Sequence, residues 1–293
     1  MFIARTVAEL RQHLAHADKP AFVPTMGNLH QGHASLLRQA KPLGDALVAS
    51  IFVNRLQFLP HEDFDSYPRT FDNDCALLEA LGCDVLFAPL EAELYPQPQT
   101  FKVLPDPVLA NILEGEFRPG FFTGVCTVVM KLFSCVFNGS AGVALFGQKD
   151  YQQQLIIRHM VRQFALPIEI VTCPTTRAPD GLALSSRNMY LSPAERAQAV
   201  QLSAALKNLA AHVRDRTASG LDLNLPALEI AAMDQLRSLG WQPDYLTVRH
   251  RLDMSPLSAV TDAPLVVLGA AKLGQTRLID NLELETIASL RSQ

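Results

Sequence analysis

Five short, β-rich apolar runs in the first 175 residues alternate with stretches of helical spacing, and this alternation restricts the fold more than any other feature of the chain. The runs are Ala21 to Pro24, Ala46 to Val53, Asp84 to Ala88, Val143 to Phe146 and Ile168 to Thr172. Between them, Ser35 to Lys41, Asp72 to Leu81, Thr127 to Val136 and Gln152 to Gln163 carry helical periodicity. Strand followed by helix followed by strand predicts parallel pairing through right-handed crossovers, with helices on both faces of the sheet. Ligands bind such sheets outside the carboxyl ends of the strands, so the polar residues just past each apolar run are the candidates for chemistry.

Past Ser192 the texture changes. A Ser-Pro helix start at 192 to 193 leads into an Ala-rich helix to about Arg216, then a Gly/Ser/Asp loop, a helix over Ala227 to Leu239, and strands near Tyr245 to Arg249 and Leu265 to Ala271. With Pro174 and Pro179 bracketing the junction, the expected organisation is α/β: a Rossmann-like doubly wound parallel sheet over residues 1–175, then a second, smaller α+β domain over 176–293. The N-terminus MFIARTVAEL has neither the basic start nor the apolar core of a signal peptide, and the most apolar stretch, Gly124 to Phe137, is too short to span a bilayer. No membrane partner and a cytoplasmic location are therefore expected. Five cysteines without C-x-x-C spacing fit reduced, buried thiols. A formal net charge of -4 argues against a nucleic-acid surface, so any polyanion must be met by a local cluster.

Four clusters sit where that logic points. His30 and His33, three apart, share one face of a first turn if a helix starts near Gly27 to Leu29; free N–H groups there, with Gly27 and Gly32 permitting close approach, suit a phosphate. A metal pair or two capping histidines are the other readings of that spacing. Asn54 and Gln57 follow the second run, and their amides suit a small polar substrate. After the fourth run come Gly147, a mobile charge at Lys149, an acid at Asp150 able to orient the lysine or support magnesium, and Gln153 on the helical face of Lys149. Ser185, Ser186, Arg187 and Asn188 form a donor-rich loop of the kind a lid uses, with Arg187 able to grip phosphate bidentately.

Taken in order, PTMGNLHQGH (24 to 33), SIFVNRLQF (50 to 58), YPRT (67 to 70), LEGEFRPG (113 to 120), FGQKDYQQ (146 to 153), DGLALSSRNMYLS (180 to 192) and TRLIDN (276 to 281) resemble the pantoate-beta-alanine ligase family, within the nucleotidyltransferase superfamily marked by H-x-G-H. The resemblance implies an ATP-dependent condensation of pantoate with beta-alanine to pantothenate (vitamin B5, a coenzyme A precursor), AMP and diphosphate, through a pantoyl adenylate. It implies ATP as substrate with Mg2+ held largely by the phosphates, no dedicated metal ligands beyond possible support from Asp150, and a homodimer. Position by position, Met26, Gly27, Asn28, Leu29, His30, Gln31, Gly32 and His33 would line the ATP site, His33 as proton donor and His30 as its phosphate-contacting companion. Lys149 would hold the phosphates, flanked by Gly147, Gln148 and Asp150; Thr176 would meet the nucleotide through its backbone, and Leu184, Ser185, Ser186 and Arg187 would close over the triphosphate. Gln57 and Gln153 would bind pantoate, Gln57 also lying near the amine substrate, with Asn54, Pro24 and Thr25 completing that pocket.

Three positions depart from the family's pattern: Arg55 where proline is usual, Gln148 for glutamate, and Phe121 for histidine after R-P-G. None is among His30, His33, Lys149, Gln153 and Arg187, so an active enzyme is expected. The alternatives are a small-molecule nucleotidyltransferase of the same superfamily, or a catalytically silent ATP-binding regulator.

Overall fold

The computed structural model describes residues 1–60, 62–219, 222–257 and 263–284. Packing divides the chain into two units: residues 1–148 with 152–176, and residues 149–151 with 177 onward.

In the larger unit, strands β1 (Phe2–Ala4), β2 (Ala21–Thr25), β3 (Leu47–Ile51), β4 (Val85–Phe87), β5 (Gly142–Gly147) and β6 (Ile168–Cys173) form one sheet in the order β1-β4-β3-β2-β5-β6. Every neighbouring pair is parallel, as the alternating pattern requires. The helices are α1 (Val7–His13), α2 (Gln31–Ala40), α3 (Phe71–Ala80), the one-turn α4 (Glu91–Leu94), α5 (Pro107–Ala110) and α6 (Glu114–Phe117), the long α7 (Phe121–Val136), and α8 (Tyr151–Gln163). Alternate strand residues serve opposite faces. Ala21, Val23, Leu47 and Ala49 pack with Leu37 and Ala40 of α2 and Leu78 of α3. On the other face, Phe22 meets the rings of Phe133 and Phe137 edge-on, and Phe133 meets Phe146. Helix α7 begins at Phe121, upstream of the helix expected from Thr127, and lies so close to the 3-10 turn Arg55–Gln57 that a methyl at Gly124 would overlap the Leu56 carbonyl.

Strand order reverses between β2 and β5, and the ladder there is short. β2 pairs with β3 over all five residues but with β5 only at Ala21 and Phe22. Beyond that point the two carboxyl ends continue without shared backbone bonds, which is the crevice expected at the switch point of such a sheet.

The smaller unit is an antiparallel sheet, β7 (Gln242–His250), β8 (Leu265–Leu273) and β9 (Thr276–Leu284), with helices α9 (Pro193–Gln198), α10 (Val200–Ala218) and α11 (Leu225–Ser238). Ser192 caps α9 in a reciprocal capping box with Glu195, with Pro193 at the first position, as the Ser-Pro start predicts. The single Ala-rich helix expected to Arg216 is instead interrupted at Ala199. Leu202, Leu206, Leu209 and Val213 of α10 pack with Leu246, Val248, Val267 and Leu278 of the sheet. Part of the expected Gly/Ser/Asp loop, residues 220–221, lies outside the described residues. Among the described residues no helix is long and apolar enough to cross a membrane.

All five cysteines are free thiols; Cys83, Cys126, Cys135 and Cys173 are buried and Cys75 is half-buried. Burial pushes the Cys83 and Cys126 thiols up to about 12 and that of Cys173 to about 11. The thiolate is the reactive form. At pH 8 the folded protein is therefore expected to titrate quickly at no more than Cys75, and at all five cysteines in denaturant. Two or more fast thiols in a disulfide-reagent assay of the folded protein would contradict this burial.

Candidate active site

The first cluster lies just past the carboxyl end of β2. Gly27 and Asn28 adopt left-handed φ values of 82° and 50°, which stops the chain from entering a helix there. The helix start expected near Gly27 to Leu29 is thus corrected: α2 starts at Gln31, and His30 is its extended N-cap. The two imidazoles still come together, with ring centroids 4.2 Å apart. His30 Nδ1 accepts from the Gly32 N–H at 3.0 Å, and the His30 N–H donates to His33 Nδ1 at 3.3 Å. Histidine here does the work of a reciprocal capping box. Both Nδ1 atoms act as acceptors, so in its neutral form each ring carries its proton on Nε2.

The loop before α2 is held from below by a residue that the sequence reading missed. Asp74 of α3, only 2% exposed, accepts the backbone N–H groups of Asn28 at 2.9 Å and Leu29 at 2.8 Å, and the Thr70 hydroxyl at 3.1 Å. An added methyl at Gly27 would press on Asp74 and on Ile51, each at 3.1 Å. At the end of β2 itself, the Thr25 hydroxyl donates to the Ser50 carbonyl at 2.6 Å and accepts from Gly27 N–H at 3.2 Å; half-buried Pro24 precedes it.

The second cluster follows β3. Gln57 donates from Nε2 to the Met26 sulfur at 3.0 Å and accepts at Oε1 from Asn54 Nδ2 at 3.2 Å, which joins two of the expected clusters. Asn54 is 1% exposed; its Nδ2 also donates to the Gly124 carbonyl at 3.2 Å, and its Oδ1 accepts the Tyr95 hydroxyl at 3.2 Å. Its bonds support Gln57 from behind. Burial pushes the Tyr95 phenol up to about 12, which keeps it a donor through the ordinary pH range.

Gln57 is also fixed through its main chain. Arg118 Nη2 donates to the Gln57 carbonyl at 3.1 Å and pairs with Glu62 through two bonds of 2.6 and 2.8 Å. Its guanidinium lies 3.7 Å from the centre of the Phe121 ring. The departure at Phe121 thus supplies an aromatic platform for Arg118. Arg55 stacks on Phe64 at 3.9 Å, a contact proline could not make. Leu56, Gln57, Lys102, Phe121 and Thr127 line a cavity of about 330 Å3 beside this turn.

Beyond β5, Gln148 to Asp150 form a 3-10 turn that leads into α8 at Tyr151, so Lys149 precedes the α-helix that carries Gln153. Among the described residues, nothing lies within 4 Å of where a Cβ on Gly147 would stand. In the run 152–154, Gln152 is buried on the carbonyls of Leu109 and Ile112, both at 2.8 Å, and Gln154 accepts the Thr172 hydroxyl at 2.8 Å. Gln153 between them is half-buried, and its side chain makes no hydrogen bond among the described residues. Thr176 is half-buried and closes the larger unit.

In the smaller unit, Lys149 Nζ lies 3.4 Å from Asp150 Oδ1, the lysine side chain 17% and the aspartate 44% exposed. Ser185 caps the 3-10 turn Ser186–Tyr190 by accepting the Arg187 N–H at 3.2 Å, and Asn188 Nδ2 ties back to the Ala183 carbonyl at 3.0 Å. Leu184, Ser185, Ser186 and Arg187 are all half-buried. Among the described residues no three or more His, Cys, Asp or Glu gather to hold a metal ion.

Comparison with known proteins gives one consistent result. The sequence profile of the pantoate-beta-alanine ligase family matches residues 2–283. The pantothenate synthetase of Paracidovorax citrulli is 65% identical over 285 residues, covering 97% of this chain and 100% of the relative; that of Verminephrobacter eiseniae is 66% identical over the same coverage. Among solved structures, a pantothenate synthetase from Thermus thermophilus superposes with a TM-score of 0.85 at 43% identity, covering 97% of this chain and 100% of that one. A pantoate-beta-alanine ligase from Francisella tularensis, solved as a complex with beta-gamma ATP and beta-alanine, gives a TM-score of 0.74 at 33% identity and 97% coverage of each chain.

Proposed function

The chain belongs to the pantoate-beta-alanine ligase family, and on that premise we propose that it condenses pantoate with beta-alanine in an ATP-dependent reaction yielding pantothenate, AMP and diphosphate. The family match over residues 2–283 carries the reading, and the strand-end clusters give it chemistry.

A carboxylate is a poor acyl electrophile. In the first step a pantoate carboxylate oxygen bonds to the α-phosphorus of ATP, and the bond from that phosphorus to the bridging oxygen breaks, releasing diphosphate and leaving a pantoyl adenylate. Negative charge grows on the transferred phosphate and the leaving group, and donors fixed before the step stabilise it. His30 and His33, at the N-terminus of α2, contact the phosphates, His33 as the proton donor. Lys149 supplies one full positive charge and Arg187 a second, with Ser185 and Ser186 as the remaining donors. Met26 to Leu29 line the nucleotide site. Gln57 and Gln153 orient pantoate, with Asn54 holding Gln57. In the second step the neutral amine of beta-alanine bonds to the acyl carbon, the bond from that carbon to the phosphate oxygen breaks, AMP leaves with the electron pair, and the amine nitrogen releases its proton to solvent. Magnesium would come bound to ATP and screen the phosphate charge; Asp150 beside Lys149 is the carboxylate that would support an ion held mainly by phosphate oxygens. A homodimer and a cytoplasmic location complete the proposal.

Purified protein with pantoate, beta-alanine, ATP and magnesium is expected to form pantothenate and AMP one for one. Without beta-alanine it is expected to exchange labelled diphosphate into ATP only when pantoate is present. Failure to make pantothenate with all three substrates saturating would overturn the assignment.

A further inference from the structure

The segment TRLIDN, residues 276–281, carries part of the family resemblance yet contains none of the residues assigned above to a substrate. It lies in β9, and two consecutive residues of that strand reach both places where the chain enters the smaller unit, after residue 148 and after residue 176. Asn281 Nδ2 donates to the Lys149 carbonyl at 2.9 Å. Asp280, 5% exposed, accepts two bonds from the Arg177 guanidinium at 2.7 and 2.8 Å. Arg177 also donates to the carbonyls of Asn281 at 3.3 Å and Gly181 at 3.0 Å. The bond to Gly181 fastens a turn whose ends bridge at Arg177 and Ala183, and the chain leaves that turn directly into Leu184 to Arg187. A third fastening comes from the same strand: Glu283 accepts the Tyr151 hydroxyl at 3.0 Å and pairs with Arg251 at 2.6 Å.

We infer that Asp280 and Asn281 are positioning residues for adenylyl transfer, because one strand holds both the Lys149 segment and the donor loop 184–187 and so fixes the spacing between their phosphate-contacting groups. Successive strand residues point to opposite faces, so the pair can serve two segments at once. Neither residue is assigned to a substrate. Each acts on the base from which a long side chain extends: the main chain at Lys149, and the turn that leads to Arg187. Donors stabilise developing charge only if placed within a few tenths of an ångström beforehand, and a flexible lysine depends on its anchor for that. The inference rests on the reading of Lys149 and Arg187 as phosphate ligands.

The test is a double-mutant comparison by pantoate-dependent diphosphate exchange. Asn281→Ala is expected to lower kcat about 10- to 30-fold in protein shown by thermal melting to be folded, with the KM for pantoate within about twofold, since pantoate is assigned to Gln57 and Gln153 of the larger unit. In a Lys149→Ala background the same change is expected to cost less than about threefold, because a residue acting through Lys149 then has nothing to act on. An unchanged kcat in the single variant, or a full further loss in the double variant, overturns the inference while leaving the phosphate assignment standing. A Lys149→Ala enzyme with full activity would instead sink the phosphate reading, and the inference with it. Asn281→Asp keeps the shape and removes the Nδ2 donor; it repeats the comparison if the alanine variant does not fold, and the same outcomes apply.

Discussion

Lys149→Ala is expected to slow pantoate-dependent exchange of diphosphate into ATP by about 100- to 1,000-fold, the loss typical of removing one fixed donor from developing charge. The side chain is well placed for such an effect. It is 17% exposed, so its charge is partly shielded from water, and Asp150 beside it stands off at 3.4 Å and is itself 44% exposed. A close, buried ion pair would neutralise the lysine, whereas a loose contact leaves its charge available to a phosphate. The KM for pantoate is expected to stay within about threefold of wild type, which distinguishes lost transition-state stabilisation from a damaged pocket. Steady-state exchange at several pantoate concentrations reads both quantities. Retention of more than a third of the wild-type rate would remove Lys149 from the mechanism.

Asp74→Ala is expected to be the most damaging single change to the fold of the site, lowering stability by about 3 to 4 kcal/mol. Two backbone N–H groups, at Asn28 and Leu29, end on that carboxylate in a nearly closed environment. Alanine offers them no acceptor, and each buried unsatisfied donor costs about 1 to 3 kcal/mol. For a chain of this size the melting temperature is expected to fall by roughly 10 °C. Activity should fall further than stability explains, because the left-handed residues Gly27 and Asn28 lose the group that fixes the approach to His30. Asp74→Asn keeps one acceptor oxygen and should recover part of both losses. A melting temperature within about 2 °C of wild type in the alanine variant would show that the loop is held by other means.

Asp74 also shows where sequence reasoning stops. Asp72, Asn73 and Asp74 open α3 like any acidic first turn beside a helix dipole, a pattern that predicts solvent. Only the fold reveals that the third of them faces inward toward residues 46 and 45 positions away in sequence. The five parallel strands past β1 were legible because strands buried on both faces read as short apolar runs, and those runs end where Thr25, Asn54 and Gly147 stand. Strand β1 spans three residues and offers no period to detect. Strand β9 was hidden for another reason. Arg277, Asp280, Asn281 and Glu283 break its apolar alternation, and each makes a bond to a residue distant in sequence, as Arg277 does to Asp244 at 2.6 Å. The start of α2 was misplaced because periodicity does not report the sign of φ, and two left-handed residues delay the helix to Gln31.

Lys149 is flanked in sequence by residues of one packing unit and belongs by packing to the other. The two units are consequently not modules that a single cut can separate. A fragment ending at 176 would contain the lysine without the strand that holds its main chain, and a fragment beginning at 177 would contain the strand without the lysine. Chimeras that exchange the smaller unit between relatives at that junction inherit the problem: each would pair one parent's lysine with the other parent's anchor, so a faithful graft has to carry residues 149–151 along with the C-terminal portion.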